Sequence, residues 1–215
     1  MGRPKGGGNS REAIIEACLK LVLEKNYGNI SIADIEKAAN LTRGSLLYHF
    51  KDKDCIYYAA VEYFMQQVSS YYESFIMAER VTLLEFIFAY IDNVQNLNQY
   101  IKSLANGQQS TYAYFLLQAS EYYPNFLEKY TELYELERKG WEINIKAAIE
   151  RKEIKEDIDI QTLTTQFQSL YFGVLLQSGL VPQRFTTTTL QSLMISLYND
   201  IKVRQEKVCF ALGKR

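Results

Sequence analysis

Histidine, cysteine and proline are scarce in this 215-residue chain, and each scarcity removes a class of chemistry. His49 is the single histidine, so neither a two-histidine metal site nor a histidine-based catalytic triad can be assembled away from that residue. Cys18, Cys55 and Cys209 lie far apart, without metal-ligand spacing, and read as buried thiols of a reducing compartment. Proline occurs only at 4, 124 and 182, and no alternating apolar pattern bounded by Asn-Gly or Asp-Gly suggests a hairpin. No apolar window is long enough to span a membrane and no signal-peptide pattern opens the chain, so a cytoplasmic protein is expected. No phosphate loop of the GKS or GKT kind is present, and the glycine triplet 6–8 lacks the strand that such loops follow. The carboxylate pairs Glu135/Glu137 and Glu156/Asp157 fall in charge-rich stretches and read as solvated faces. Catalysis is therefore not expected, and neither a metal nor a cofactor is implied.

Charge is balanced overall, at −1, but unevenly placed. Residues 1–54 carry nine Lys/Arg against seven Asp/Glu, whereas the remainder carries 15 against 18. Positive charge is thus local to one end, where it can attract a polyanion. That end opens MGRPKGGGNSR, in which Arg3, Lys5 and Arg11 face no acid and three glycines suggest a mobile basic arm. Such an arm suits contact with phosphates or a minor groove.

Immediately after it, SIADIEKAANLTRGSLLYHF (31–50) reads as two short helices joined by a tight turn. Ser31 with Asp34 forms a capping pattern ahead of Ile32, Ile35, Ala38 and Ala39 at helical spacing. Asn40 suits a left-handed exit from that helix. Thr42 can cap a second helix, 43–50, whose first turn holds Arg43, Gly44 and Ser45 at an end that attracts phosphate. Leu46, Leu47 and Phe50 are expected to dock this helix, leaving Tyr48 and His49 on or near its outer face.

Residues 11 to about 61 resemble the DNA-binding domain of the TetR family of bacterial transcriptional regulators. The likeness runs through REAIIEACLKLVLEKNYGNIS, the helical pair, and LTRGSLLYHFKDKDCIYYAAV. It implies a DNA-contacting set of Arg3, Lys5, Ser31, Thr42, Arg43, Gly44, Ser45, Tyr48, His49 and Lys53, the last beside a phosphate at the start of the fourth helix. Three positions depart from the family pattern: Leu47 stands where Tyr is usual, Glu36 where a small residue is, and Asn40 where Gly is.

The remaining sequence reads as helix after helix. Nine are expected, near 10–26, 31–39, 43–50, 53–78, 81–101, 105–122, 124–152, 159–179 and 187–209, an all-α fold. The expected division is a DNA-binding unit, 1–54, and a larger helical unit, 55–215, for effector binding and dimerisation, joined without a linker through the fourth helix. Aromatics crowd the middle helices. The resemblance implies an effector pocket there, with Phe86, Tyr90, Asn93, Tyr112, Phe115, Gln118 and Trp141 as candidates for a small hydrophobic or planar molecule. Apolar stripes on the last two helices, among them Phe167, Leu170, Val174, Leu190, Met194, Leu197 and Ile201, must bury against something. The resemblance favours a homodimer, which would also match a palindromic double-stranded DNA operator. The competing reading is a DNA-bound protein of the same fold that acts through a protein partner.

Overall fold

Helices separated by short turns account for most of the described residues, 7–76, 82–105, 112–181 and 186–203 of a computed structural model. No strand occurs among them, and one isolated antiparallel bridge pairs Ile154 with Lys202. Arg3, Lys5, Pro182 and Cys209 lie outside the described residues.

Helix α1 (Gly7–Glu24) starts inside the glycine triplet, so two glycines expected in a mobile arm are helical. Ile14, Cys18, Leu19 and Val22 recur at three- and four-residue steps and are buried against the helices that follow. Burial pushes the Cys18 thiol up to about 12, which leaves it unreactive.

A 3-10 turn (Tyr27–Asn29), absent from the expected elements, leads to α2 (Ile32–Ala39), α3 (Arg43–His49) and α4 (Lys53–Ile76). Ile30, Ile35, Leu46 and Phe50 close the same core over α1. Helix α4 runs unbroken through the expected boundary at 54/55.

Helix α5 (Leu83–Leu104) is opened by a capping box of Thr82 and Glu85 and buries Phe86, Tyr90, Val94, Leu97 and Ile101 along one side. Helices α6 (Tyr112–Tyr122), α7 (Phe126–Glu150), α8 (Ile160–Leu180) and α9 (Thr187–Ile201) complete the bundle. Pro124 precedes α7 rather than opening it, because Asn125 takes a left-handed conformation (φ 60°) and the helix begins at Phe126. Helix α9 stops well short of the expected 209. Its last carbonyl, on Ile201, accepts from Lys155 N at 3.0 Å, and Val203 N donates to Glu153 O at 3.0 Å.

Glu153 fastens three elements at this corner. Its carboxylate accepts from Leu83 N (3.0 Å) and Leu84 N (3.3 Å) at the start of α5 and from the Tyr198 hydroxyl of α9 (3.1 Å). An acidic group at a helix N-terminus is favourable for both hydrogen bonding and the helix dipole.

The apolar stripes of α8 and α9, expected to supply a dimer surface, close largely inward. Phe167, Val174, Leu190 and Met194 are buried within their own protomer, and Phe167 stacks on Trp141 with ring centroids 4.4 Å apart. Leu170, Leu197 and Ile201 are half-buried against the same core. The stripe is spent on packing α8 against α7 and α9 against α5.

Candidate nucleic-acid interface and the helical interior

The helix pair is built by capping chemistry. Ser31 N donates to Asp34 Oδ2 at 2.8 Å and Asp34 N donates to Ser31 Oγ at 3.2 Å, a reciprocal box at the start of α2. Hydrogen bonds from Ser31, helped by Lys25 at 3.3 Å, hold the Asp34 carboxyl down at about 2. Asn40 ends α2 in the left-handed region (φ 52°, ψ 44°), and Leu41 N reaches back to Glu36 O at 3.1 Å. Thr42 then caps α3, its Oγ1 accepting from Ser45 N at 3.3 Å.

Helix α3 is anchored by Leu46 and Phe50, and Arg11 lays its guanidinium 5.2 Å from the Phe50 ring centroid. Leu47, expected among the docking residues, is instead 46% exposed, and Tyr48 is 84% exposed. One side of α3 therefore presents Arg43, Gly44, Leu47 and Tyr48 to solvent, with Thr42 at its start. Ser45 and His49 are half-buried at its margin, and the His49 ring meets Tyr48 edge-on at 5.0 Å. Ser31 is exposed at the start of α2. Lys51, just past α3, is an exposed cation that motif reading did not single out.

Lys53 is not a free cation. Its Nζ donates to Ile30 O at 3.0 Å and lies 4.2 Å from the Tyr27 ring centroid. Tyr27 in turn stacks on Tyr57 of α4 (4.0 Å, 22°) and its hydroxyl hydrogen-bonds Asp54. The start of α4 is thus bolted to the 3-10 turn.

That turn is also held by α6. Gln118, expected to line an effector pocket, is buried and spends its amide on backbone: Nε2 donates to Val22 O at 2.8 Å and Oε1 accepts from Tyr27 N at 2.7 Å. The Tyr122 hydroxyl adds a 3.2 Å bond to Asn26 Oδ1, which also accepts from Gly28 N at 2.8 Å. A Cβ at Gly28 would sit 3.0 Å from Asn26 Oδ1 and 3.4 Å from the Tyr122 oxygen, so any larger residue would push these two side chains back by a few tenths of an ångström. Gln118 is therefore a link between α6 and the end of α1.

The other expected effector residues divide. Phe86, Tyr90 and Trp141 form one aromatic cluster, with the Trp141 ring 4.8 Å from Phe86 and 5.0 Å from Tyr90. Phe115 packs on Phe64 of α4 at 4.3 Å, with Tyr112 beside it, and Asn93 is half-buried on α5. A groove of about 750 Å³ opens between α4 and α7, lined by Glu62, Met65, Ser69, Leu133, Leu136 and Lys139 among others, and contains none of the seven.

Glu137 corrects the reading of the charge-rich stretch on α7. It is only 6% exposed, and its carboxylate accepts from the Tyr90 hydroxyl at 2.7 Å. Burial pushes its carboxyl up to about 7, against the downward pull of the Tyr90 hydroxyl and the Trp141 indole. No sequence signal marks it except the helical phase it shares with Leu133, Gly140 and Trp141, all buried.

Residues 14–60 match the family model for bacterial regulatory proteins of the tetR family. IcaR of Staphylococcus epidermidis, the negative transcriptional regulator of the biofilm operon icaADBC, is 30% identical over 98 residues, 43% of this chain and 50% of its own length. The transcriptional regulator AcrR of Shigella flexneri is 35% identical over 48 residues, 22% of each chain. The alignments thus span about half of the first relative and about a fifth of the second. A TetR-family regulator from Cytophaga hutchinsonii shares the fold across 95% of this chain and all of its own, with a TM-score of 0.69 at 23% identity. The N-terminal unit thus matches the tetR family of bacterial regulatory proteins over residues 14–60, and the all-helical fold is shared with a solved regulator of that family.

Proposed function

We propose that the chain is a transcriptional repressor that binds a palindromic operator as a homodimer and releases it when a small molecule enters the helical interior. The outer side of α3 carries this reading. Four side-by-side positions, Arg43, Gly44, Leu47 and Tyr48, face solvent on a helix anchored from behind by Leu46 and Phe50. In a major groove, Arg43 would read guanine edges or phosphate, Gly44 would allow close approach, and Leu47 would meet thymine methyls. Tyr48 would reach the backbone. Lys51 supplies a phosphate contact that Lys53, engaged with Ile30 and Tyr27, does not offer freely.

Two recognition helices are needed because one reads only a few base pairs. The surface we assign to the dimer is the outer side of α8 and α9, where Leu176 (51% exposed) and Leu193 (40% exposed) accompany the exposed small residues Ser169, Gly173 and Ser196. Nothing lies within 4 Å of a Cβ placed on Gly173, so a second helix can approach closely there.

Release follows from α6. Its Gln118 and Tyr122 grip the end of α1 and the 3-10 turn, and that turn grips Lys53 and Asp54 of α4. A ligand that shifts α6 biases the spacing of the two α3 helices, and coupling of about 1–3 kcal/mol changes operator affinity roughly 5- to 150-fold. Fluorescence anisotropy with DNA from upstream of the chain's own gene tests the reading. Salt-sensitive, sequence-preferring binding at two protomers per site, or a multiple, supports it; equal competition by random DNA counts against it.

A further inference from the structure

Glu137 has no role in reading DNA, yet it is buried among groups that do not neutralise it. Its carboxylate accepts from the Tyr90 hydroxyl and forms no ion pair among the described residues. Tyrosine hydroxyls surround it from every neighbouring element: Tyr72 of α4, Tyr90 of α5, Tyr112 of α6, Tyr130 of α7 and Tyr171 of α8 all feel its charge. Aromatic faces complete the surroundings. Trp141, one turn along α7, is stacked on Phe167 and edged by Phe86.

The same interior holds polar atoms without a hydrogen-bond partner. Tyr112 Oη is one of them. On the inward side of α8, Thr164 Oγ1 and both amide atoms of Gln168 are also unpaired, and Gln168 is 3% exposed. Buried side-chain amides and hydroxyls in folded proteins are normally hydrogen-bonded, so four such atoms in one interior point to a polar guest.

We infer that this interior is the effector site and that its ligand is an organic cation, a protonated amine or amidine carried on an apolar or aromatic body. The inference rests on the effector-responsive reading above. A cation neutralises Glu137, and the rings of Trp141, Tyr90 and Tyr171 attract it through their negative faces. The Gln168 amide and the Thr164 and Tyr112 hydroxyls supply the remaining polar contacts. An anion would be repelled by the ionised Glu137, and a neutral ligand would gain nothing from its charge.

Three probes of one shape test this on the full-length protein: phenethylammonium, phenethyl alcohol and phenylacetate. Trp141 is the chain's single tryptophan and lies one turn from Glu137, so its emission reports the site directly. The expected result is that phenethylammonium binds at least about fivefold tighter than either analogue. In Glu137→Gln, a change that keeps the shape and removes the charge, the cation and the alcohol should bind within about twofold of each other. Without any variant, phenethylammonium binding should weaken as pH falls through about 7, where Glu137 takes up a proton while the facing tyrosines stay neutral.

Equal or tighter binding of the alcohol or of phenylacetate overturns the proposal. So does a cation preference that survives in Glu137→Gln, or an emission unmoved by all three probes. Operator binding measured in parallel keeps the two claims apart. A cation-selective Trp141 response in a protein that ignores operator DNA upholds the cation site and sinks the regulator. Release of operator by the alcohol but not by the ammonium does the reverse.

Discussion

Burying the Glu137 carboxyl without a cation costs stability in a pH-dependent way. Its folded value of about 7 lies above the ordinary 4.5, so the folded state holds a proton that the unfolded state has lost between those values. Stability therefore falls as pH rises from 4.5 to 7, by about 3 kcal/mol at most. Glu137→Gln should unfold at a higher denaturant concentration than the parent at pH 8, with the difference nearly gone at pH 4.5. A gap independent of pH would mean that folding leaves the Glu137 carboxyl at its ordinary value. On the outer face of α3, Arg43→Ala and Tyr48→Ala should each weaken operator binding about tenfold or more. Lys51→Ala should weaken all DNA alike and make the logarithmic salt slope shallower by about 1. If Lys51→Ala instead altered sequence preference, its assigned phosphate role would be wrong. The caps were legible from residue types alone: Ser31 with Asp34, Asn40 and Thr42 each act within three or four residues of themselves. Leu47 and Glu137 were not, because which side of a helix faces solvent depends on neighbours distant in sequence.

At the scale of elements, two junctions govern the behaviour of the molecule. Gln118 joins α6 to the end of α1 and to the 3-10 turn across more than ninety residues of sequence. Gln118→Leu leaves Val22 O and Tyr27 N without these partners and should cost about 2–3 kcal/mol in chemical denaturation. The surviving folded protein should bind operator but respond less to effector; an undiminished response would place the coupling elsewhere. At the other end, Glu153→Ala should destabilise by a similar 2–3 kcal/mol, since it strips a charged acceptor from the start of α5 and from Tyr198. A loss below about 0.5 kcal/mol would show the corner to be held by its backbone bonds alone. Helix order followed from apolar periodicity, and α2 to α4 fell within a residue or two of expectation. The ends that missed were set by long-range partners. Helix α9 stops at Ile201 because its terminus bonds to the turn after α7, and the 3-10 turn depends on α6.

The whole molecule is a regulator only if two protomers present their α3 helices together. The inward stripes of α8 and α9 show why periodicity alone does not locate a dimer surface. A helix in a bundle must bury one side within its own protomer, and periodicity cannot tell that side from one that meets a partner. The exposed side, with Leu176 and Leu193, is the surface we assign to the partner, so Leu193→Asp should shift the protein toward monomer in analytical ultracentrifugation and lower operator affinity together. A monomer that retains full operator affinity would refute the paired-site model. The most direct measurement is anisotropy of labelled upstream DNA titrated with the parent protein and with Arg43→Ala, over a range of salt and against random competitor. The expected result is saturation at two protomers per site or a multiple, binding that outlasts random competitor, and a marked loss in Arg43→Ala. Binding that random DNA displaces equally, and that Arg43→Ala leaves unchanged, would contradict it.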